Sequence, residues 1–335
     1  MQLSRRNFLL LTASGFLTNA CKKPVPIVMS VNGPLKADQL GKTLIHEHFL
    51  VDFIGADKIS YSRWNRDEVI KKVIPFLEEV KQYGVKTIFD CTPAWLGRDV
   101  EILNMLADKS GIQIVTNTGY YGAVDNKYLP QHAFTETAEQ LAERWTIEFE
   151  KGIEGSSVKP GFIKISVNPG PLSNLHKKLV SAAAITHLAT GLTICSHTGP
   201  ATPAMEQIEL LKEKSVDPSA FVWVHAQAEK DKSFHQKAAA MKSWISLDGI
   251  GWGDHENYVD SIDRLKKAGL LQRVLISHDA GWYKPDEPQA SFTGFTDIFN
   301  KLIPILQSKG FSGEDLDQLL IRNPWEAFSI RIKKL

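Results

Sequence analysis

The chain is poor in cysteine and has no excess of either charge. Its 335 residues include three cysteines, and 39 basic residues stand against 38 acidic ones. Three scattered cysteines are too few for a disulfide framework or a cysteine-rich zinc site. A net charge of +1 argues against a nucleic-acid-binding protein, because that binding needs a strong basic excess. The 43% of hydrophobic and 23% of charged residues are typical of a globular protein.

The first twenty residues lack the length of a membrane span but have the pattern of an export signal. Arg5 and Arg6 precede a mostly apolar run over 8–17, which is too short to cross a bilayer. The segment 4–9 resembles a twin-arginine export signal, and a generic secretory signal is the alternative. We expect residues 1–20 to be a signal peptide and the protein to be periplasmic. A lipid anchor at Cys21, facing the periplasm, stays open because the preceding residues fit the attachment motif only in part.

The remaining residues, 21–335, alternate short β-rich runs with amphipathic helical patterns. In the segment 67–82 apolar residues recur with the 3.6-residue period of a helix, and Gly84 ends it. Eight such strand and helix units with no flexible linker between them predict a single (β/α)8 TIM-barrel domain. The predicted strands are 42–46, 86–90, 113–118, 162–167, 192–197, 221–225, 244–248 and 274–278.

Polar, metal-competent side chains fall at or within five of these strands, and in a TIM barrel the carboxyl ends of the strands carry the chemistry. A lone histidine at a strand end is more often a hydrogen-bonded core residue than a ligand. A lysine inside an apolar strand is harder to explain, since an unpaired buried ammonium is costly. Convergence on one rim therefore favours a metal site, made of His46, His48, Lys164, His197, His225 and Asp279.

Most of the other histidines lie in predicted loops or helices. We expect four of them to be surface residues, and the role of His255 stays open. Cys91 and Cys195 lie on different predicted strands and are interpreted as core thiols. The four expected surface histidines are His132, His176, His187 and His235.

This ordered set resembles the phosphotriesterase-like branch of the amidohydrolase superfamily. The resemblance extends from the Gly41–His48 stretch to Asn323-Pro324 and includes Gly161-Phe162-Ile163-Lys164-Ile165. It implies two divalent ions at the carboxyl ends of the strands. By transfer of the family's ligands, the first ion is bound by His46, His48 and Asp279, the second by His197 and His225, and a carboxylated Lys164 (N6-carboxylysine) bridges them.

The chemistry of these residue types agrees with that assignment. A carbamate on Lys164 is an anionic ligand that can bridge ions about 3.5–4 Å apart, whereas an ammonium would be repelled. A hydroxide bridging the two ions is a nucleophile at neutral pH, and Asp279 can accept its proton as a general base. Zinc suits imidazole and carboxylate ligands, and manganese, cobalt and iron stay open.

The chain departs from the family after the sixth and seventh strands. The family's phosphotriesterases place a histidine, and its lactonases often an arginine, where this chain has Gly249. Ala228 replaces an aspartate of the family's proton relay, and Glu229 or His255 could substitute for it. We expect Gly249 to open space for a bulky lactone. Aromatic residues are expected to line the substrate pocket: Tyr121, which aligns with a lactonase tyrosine, together with Trp95, Trp252 and Trp282.

These observations predict a metal-dependent hydrolase that uses a metal-bridging hydroxide on a carboxylic ester or lactone, a small-molecule substrate. A phosphotriesterase or phosphodiesterase is the alternative among enzymes. A metal-containing barrel that binds a ligand without turnover is the alternative from another class. The natural substrate, the metal and the oligomeric state, including a homodimer, stay open.

Overall fold

A ring of parallel strands forms the centre of the molecule. The computed structural model describes residues 25–335, so the predicted signal peptide and Cys21 lie outside the described residues. Among the residues described, no helix is both long and apolar enough to cross a membrane. The barrel strands, called first to eighth below, are Lys42–Leu50, Val85–Asp90, Gln113–Val115 continued by Asn117–Thr118, Phe162–Ser166, Thr193–His197, Phe221–Val224, Trp244–Leu247, and Val274–Ile276 continued by Gly281–Tyr283.

Two breaks divide the ring into a six-stranded and a four-stranded sheet. The third strand is interrupted at Thr116, whose carbonyl accepts a hydrogen bond of 2.8 Å from the Gly161 amide. The eighth strand stops at Ile276 and resumes at Gly281, which pairs with His48 of the first strand. Neighbouring strands pair in parallel on both sides of each break. The predicted TIM barrel is therefore confirmed, with its third and eighth strands each in two pieces.

A buried carboxylate explains the break in the eighth strand. Glu47 is fully buried, and its oxygens accept hydrogen bonds from the Ser277 hydroxyl at 2.8 Å and the Ala280 amide at 3.0 Å. The His278 ring nitrogen Nδ1 lies 2.8 Å from the same carboxylate. Residues 277–280 wrap around this charge instead of continuing the ladder, because a buried carboxylate needs several donors. The prediction that the eighth strand continues to residue 278 was therefore wrong.

Helices surround the ring and follow its strands. Asn65 caps the first long helix by accepting hydrogen bonds from the amides of Asp67 and Glu68, and the helix buries an apolar face that includes Val73 and Leu77. The main outer helices are Arg66–Lys81, Val100–Ser110, Ala138–Lys151, Asn174–Thr190, Ala201–Glu213, Ser233–Ala240, His255–Lys267 and, after the eighth strand, Ile298–Leu302 and Ile303–Ser308.

The first and last elements of the described residues cover the amino-terminal face of the barrel. A hairpin of Val28–Ser30 and Gly33–Leu35 precedes the first strand, and the helix Asn323–Phe328 ends near it. The Phe328 ring lies 4.4 Å from that of Phe89, between centroids, inside the barrel. This apolar plug leaves the opposite face, at the carboxyl ends of the strands, free for a site.

Three of the four histidines expected on the surface are buried. His176 lies 3.0 Å from the Gly122 carbonyl, His187 lies 2.8 Å from the Leu192 carbonyl, and His235 lies 2.7 Å from the Ala226 carbonyl. A neutral ring that donates to a carbonyl can be buried at small cost, so the expectation was wrong. The fourth, His132, is half-buried. Cys91 and Cys195 are free and buried, as predicted.

Candidate metal centre

The structure brings all six predicted ligands to one pocket at the carboxyl ends of the strands. His46, His225 and Asp279 offer ligand atoms that lie within 4.8 Å of one another. The other predicted ligands line the same pocket: His48, Lys164 and His197. The centre is therefore assembled from the first, fourth, fifth and sixth strands and from the break in the eighth.

Asp279 is the residue on which the histidines converge. Its Oδ1 lies 3.1 Å from Nε2 of His48 and 3.5 Å from Nε2 of His46, and its Oδ2 lies 3.9 Å from Nε2 of His225. Burial alone would raise the pKa of Asp279, but the histidines, His46 first, lower it to about 2. The carboxylate is therefore ionised at neutral pH and faces three imidazole nitrogens.

Lys164 lies at the bottom of the pocket and is 1% exposed. Its Nζ lies 3.1 Å from Nε2 of His46. Burial, followed by the positive charge of Lys164, lowers the pKa of His46 to about 4. A cation buried against an imidazole is an unfavourable arrangement, and conversion of the amine to an anion would remove it.

Asp248, at the end of the seventh strand, orients two of the ligand histidines. Its Oδ2 lies 3.0 Å from Nδ1 of His46, and its Oδ1 lies 2.7 Å from Nδ1 of His225. The Ser246 hydroxyl donates to Oδ2 at 2.6 Å. A carboxylate accepts, so both Nδ1 atoms carry hydrogen, and both Nε2 atoms are left with free lone pairs. This is the tautomer that a metal requires.

The charges within this group reinforce each other. Asp248 is fully buried, which would raise its pKa, but His225 and His46 hold it well below the usual value. Burial would lower the pKa of His225, yet Asp248 outweighs burial and raises it. The ionised carboxylate therefore increases the basicity of the imidazole beside it.

The remaining two histidines are held by hydroxyl groups. Nδ1 of His48 lies 2.7 Å from Oγ1 of Thr92, and Nδ1 of His197 lies 3.0 Å from the Tyr121 hydroxyl. Burial, followed by the charge of His225, lowers the pKa of His197 well below its ordinary value. His197 is therefore neutral at neutral pH, as an imidazole ligand must be.

Comparison with known proteins decides the family. The model of the phosphotriesterase family matches residues 26–328. This chain belongs to the phosphotriesterase family. Enzymes of this family are metal-dependent hydrolases with a TIM barrel, and the cluster around Asp279 could hold a metal ion.

The chain is similar along most of its length to relatives that have different names. The chain is 28% identical over 295 residues to "Phosphotriesterase homology protein" of Escherichia coli strain K12, covering 87% of this chain and 99% of the relative. It is 30% identical over 310 residues to "Aryldialkylphosphatase" of Saccharolobus solfataricus, covering 88% and 97%. It is 27% identical over 325 residues to "Phospho-furanose lactonase" of Mycoplasmopsis synoviae, covering 88% and 89%.

The donor set of this phosphotriesterase-family chain fits divalent ions. Imidazole nitrogens with free lone pairs and an ionised carboxylate are ligands that zinc prefers. Each of the four histidines has its other ring nitrogen engaged by a carboxylate or a hydroxyl, which is the support that metal-bound histidines generally have.

The predicted aromatic lining lies in two places. Tyr121 and Trp282 line the metal pocket, which measures about 60 Å³, together with Val51, Phe53 and Leu96. Trp252 is 55% exposed and packs on the Trp282 ring at 5.4 Å between centroids. Trp95 lines a separate cavity of about 470 Å³ beside the pocket, with Tyr120 and Arg98 among its walls. The structure thus does not bring Trp95 into the metal pocket.

Neither of the two proposed replacements for the proton relay lines the metal pocket. Glu229 accepts hydrogen bonds of 2.8 Å from the amides of Ala201, where the helix Ala201–Glu213 begins, and of Asp231. His255 is the first residue of the helix His255–Lys267, and its Nε2 lies 3.8 Å from the Asp297 carboxylate.

The expected open space at Gly249 is filled. A Cβ atom added there would lie 2.7 Å from Nε2 of Gln227 and 2.8 Å from the Tyr258 hydroxyl. These two side chains occupy the position, so the expectation that the glycine makes room for a bulky lactone was wrong.

Sequence analysis did not identify Asp248, Glu47 or Thr92 as parts of the site. A signal existed for two of them. Asp248 ends an apolar strand at the rim where ligands collect, and Glu47 lies between two ligand histidines and so faces the opposite side of the strand. A charge at either place must have buried partners.

Proposed function

We propose that this protein is a binuclear metal-dependent hydrolase that acts on a carboxylic ester or a lactone. The observation that carries the proposal is the convergence of three imidazole Nε2 atoms on the Asp279 carboxylate. Two of those rings are held by Asp248 in the tautomer that metal binding needs. Buried ionisable groups are costly unless they are paired or serve a site, and here four histidines, a lysine and an aspartate line one pocket.

Two divalent ions, zinc in this proposal, would be held by six residues. His46, His48 and Asp279 would hold the first ion, His197 and His225 the second, and Lys164, carboxylated on Nζ, would bridge them. When bound, the ions supply a nucleophile by lowering the pKa of water and polarise the substrate's carbonyl or phosphoryl oxygen. The position of Lys164 Nζ, 3.1 Å from Nε2 of His46, supports its role as a bridge.

Asp279 is the general base of this proposal. Its lowered pKa keeps the carboxylate unprotonated throughout the neutral range, so both of its oxygens are free of protons. It is 8% exposed and lies in the same pocket as the other ligands, so its carboxylate lies where a water held by the ions would react. Asp248 and Thr92 act through the ligands, whose rings they hold.

The departures from the family at Gly249 and Ala228 favour a carbonyl substrate, because they remove the proton relay of the family's phosphotriesterases. The metal pocket has a volume of about 60 Å³, well below the 300–1,000 Å³ of sites that enclose a drug-sized ligand, so most of the substrate would lie against the walls above the ions. The walls contributed by Val51, Leu96 and Phe53 are apolar, and Trp282 and Trp252 extend them outward. They suit an uncharged, apolar substituent.

The names of the relatives point to two different substrate classes, so an experiment must decide between them. "Aryldialkylphosphatase" favours a phosphotriester, and "Phospho-furanose lactonase" favours a lactone. We therefore propose measuring kcat/KM of the mature chain, reconstituted with zinc and bicarbonate, on matched series of aryl esters, lactones and activated phosphotriesters. The expected result is that the best ester or lactone exceeds every phosphotriester. The reverse order would overturn the proposed substrate.

Removing the metal with a chelator distinguishes a metal-dependent enzyme from a protein that only binds a ligand. Turnover should disappear on removal of the metal and return on its addition, and Asp279→Asn should abolish it. The matched control is Asp260→Asn, because Asp260 pairs with Arg264 on the surface of an outer helix. Absence of turnover in all three series, in a protein that retains its metal, would support the non-catalytic barrel instead.

A further inference from the structure

The side chain of Gln227 holds Asp248 at two points. Gln227 lies in the short turn Ala226–Ala228 that follows the ligand His225. Its Nε2 donates to Oδ1 of Asp248 at 3.2 Å, and its Oε1 accepts from the main-chain amide of Asp248, also at 3.2 Å. One amide group therefore fixes both the backbone and the carboxylate of the residue that orients His46 and His225.

Gly249 makes this contact sterically feasible. A Cβ at that position would lie 2.7 Å from the Gln227 Nε2, closer than non-bonded atoms approach. The backbone of Gly249 is outside the left-handed region, so its conformation does not demand glycine. The Tyr258 hydroxyl, which donates to the Gly249 carbonyl at 2.6 Å, packs on the same side. The missing side chain is thus explained by the neighbours that fill its place.

We propose that Gln227 is a positioning residue of the metal centre, and that the absence of a side chain at Gly249 makes its contact with Asp248 possible. This inference rests on the proposed metal site. Asp248 shares its two oxygens between the rings of His46 and His225, so a rotation of the carboxylate would misdirect one ligand from each of the two ions. Gln227 prevents that rotation, because its amide ties the Oδ1 atom to the main chain of the same residue.

Two substitutions remove the contact from opposite sides. Gln227→Met keeps the length of the side chain and removes both hydrogen bonds. Gly249→Ala adds a Cβ that meets the Gln227 amide and the Tyr258 hydroxyl and leaves Gln227 itself in place, and Tyr258→Phe removes that hydroxyl alone and so measures its share. Gln227→Met and Gly249→Ala should each bind zinc about 10-fold more weakly, the lower end of the loss seen when a direct partner of a ligand is removed, because Gln227 acts through Asp248. The double variant should lose less than the sum of the two single losses, because both changes break the contact between Gln227 and Asp248.

Two measurements follow the metal rather than turnover. Competition with a chromophoric chelator gives the zinc affinity of each protein, and the absorption spectrum of the cobalt-substituted form reports the geometry of the ligands. Both variants should change the cobalt spectrum, which a purely structural role of Gln227 would leave unchanged. Gln272→Met is the matched control, because the Gln272 amide donates to the Gly269 carbonyl on the surface.

The outcomes separate this inference from the proposed function. Wild-type affinity and spectrum in either folded variant would overturn the role of Gln227 alone, and so would strictly additive losses in the double variant. If Gln227→Met does not fold, Gln227→Asn, whose amide is one carbon shorter in reach, takes its place in the test. A wild-type protein that binds neither zinc nor cobalt would overturn the proposed metal centre and this inference with it.

Discussion

His225 is held in a left-handed backbone conformation by Asp248. The φ angle of His225 is +60°, and both its main-chain amide and its ring Nδ1 contact Oδ1 of Asp248, at 3.1 and 2.7 Å. A histidine in this region of φ is under strain of about 1–3 kcal/mol, which its surroundings must offset. The buried carboxylate supplies that compensation and directs the ring into the pocket.

Removing the charge of Asp248 should therefore loosen the metal centre. Asp248→Asn keeps the shape but offers one acceptor oxygen to two imidazole rings, so one ligand loses its orienting partner. We expect zinc affinity to fall about 10–100-fold, measured by competition with a chromophoric chelator. The control Asp260→Asn, on the surface, should bind zinc as the wild type does. Equal affinities of Asp248→Asn and wild type would show that the contact does not support the ligands.

The proposed carboxylation of Lys164 can be tested separately. Lys164→Ala should lose activity, because the bridging anion is gone, and should regain part of it when formate or acetate fills the vacated space. A high-resolution structure of the zinc-loaded wild type should show the carbamate on Nζ. An unmodified amine in that structure, or a variant that short carboxylates do not rescue, would contradict the modification.

The sequence was sufficient to predict the barrel and the convergence of six metal-competent residues in one pocket, because both depend on regular features. The eight strands alternate with helices at regular intervals, and a residue at the carboxyl end of any strand lies on the same rim of the barrel. Lys164 was distinctive because a lysine inside an apolar strand needs an explanation.

Features that depend on tertiary contacts could not be predicted in this way. The break in the eighth strand requires knowing that Glu47 is buried beside residues 277–280. The filling of the space at Gly249 depends on Gln227, which is 22 positions away in the chain. The burial of His187 depends on a carbonyl partner, that of Leu192, which polarity alone does not reveal.

Acid should destabilise the fold through a histidine outside the metal site. Burial lowers the pKa of His235 to about 4, and the buried Nδ1 atom has no partner among the described residues. Its pKa in the unfolded chain is about 6.5. Because the folded form prefers the neutral ring, its contribution to stability is complete above pH 6.5 and is lost as the pH falls towards 4.

His235→Gln tests this effect, since glutamine can still donate to the Ala226 carbonyl but does not titrate. Between pH 7 and pH 5 the wild type should lose about 2 kcal/mol more unfolding free energy than the variant. Urea denaturation of both metal-free proteins at the two pH values measures the difference. Equal losses would mean that His235 is not the group responsible.

Export is a prediction about residues outside the described part of the chain. We propose that Arg5 and Arg6 direct the protein to the twin-arginine route. Replacing both by lysine should retain the precursor in the cytoplasm, which fractionation and immunoblotting would show. Normal periplasmic levels of the doubly substituted protein would exclude this route. Metabolic labelling with a fatty acid, lost in Cys21→Ser, would establish the lipid anchor, and its absence would exclude the anchor.

The most direct test of the proposed function is a titration of the metal-free protein with zinc in bicarbonate buffer, with ester or lactone hydrolysis as the readout. We predict that the rate is negligible without metal and rises until about two ions are bound per chain, as two-metal hydrolases require. A rate that is already maximal at one ion per chain, or hydrolysis by the metal-free protein, would contradict the account.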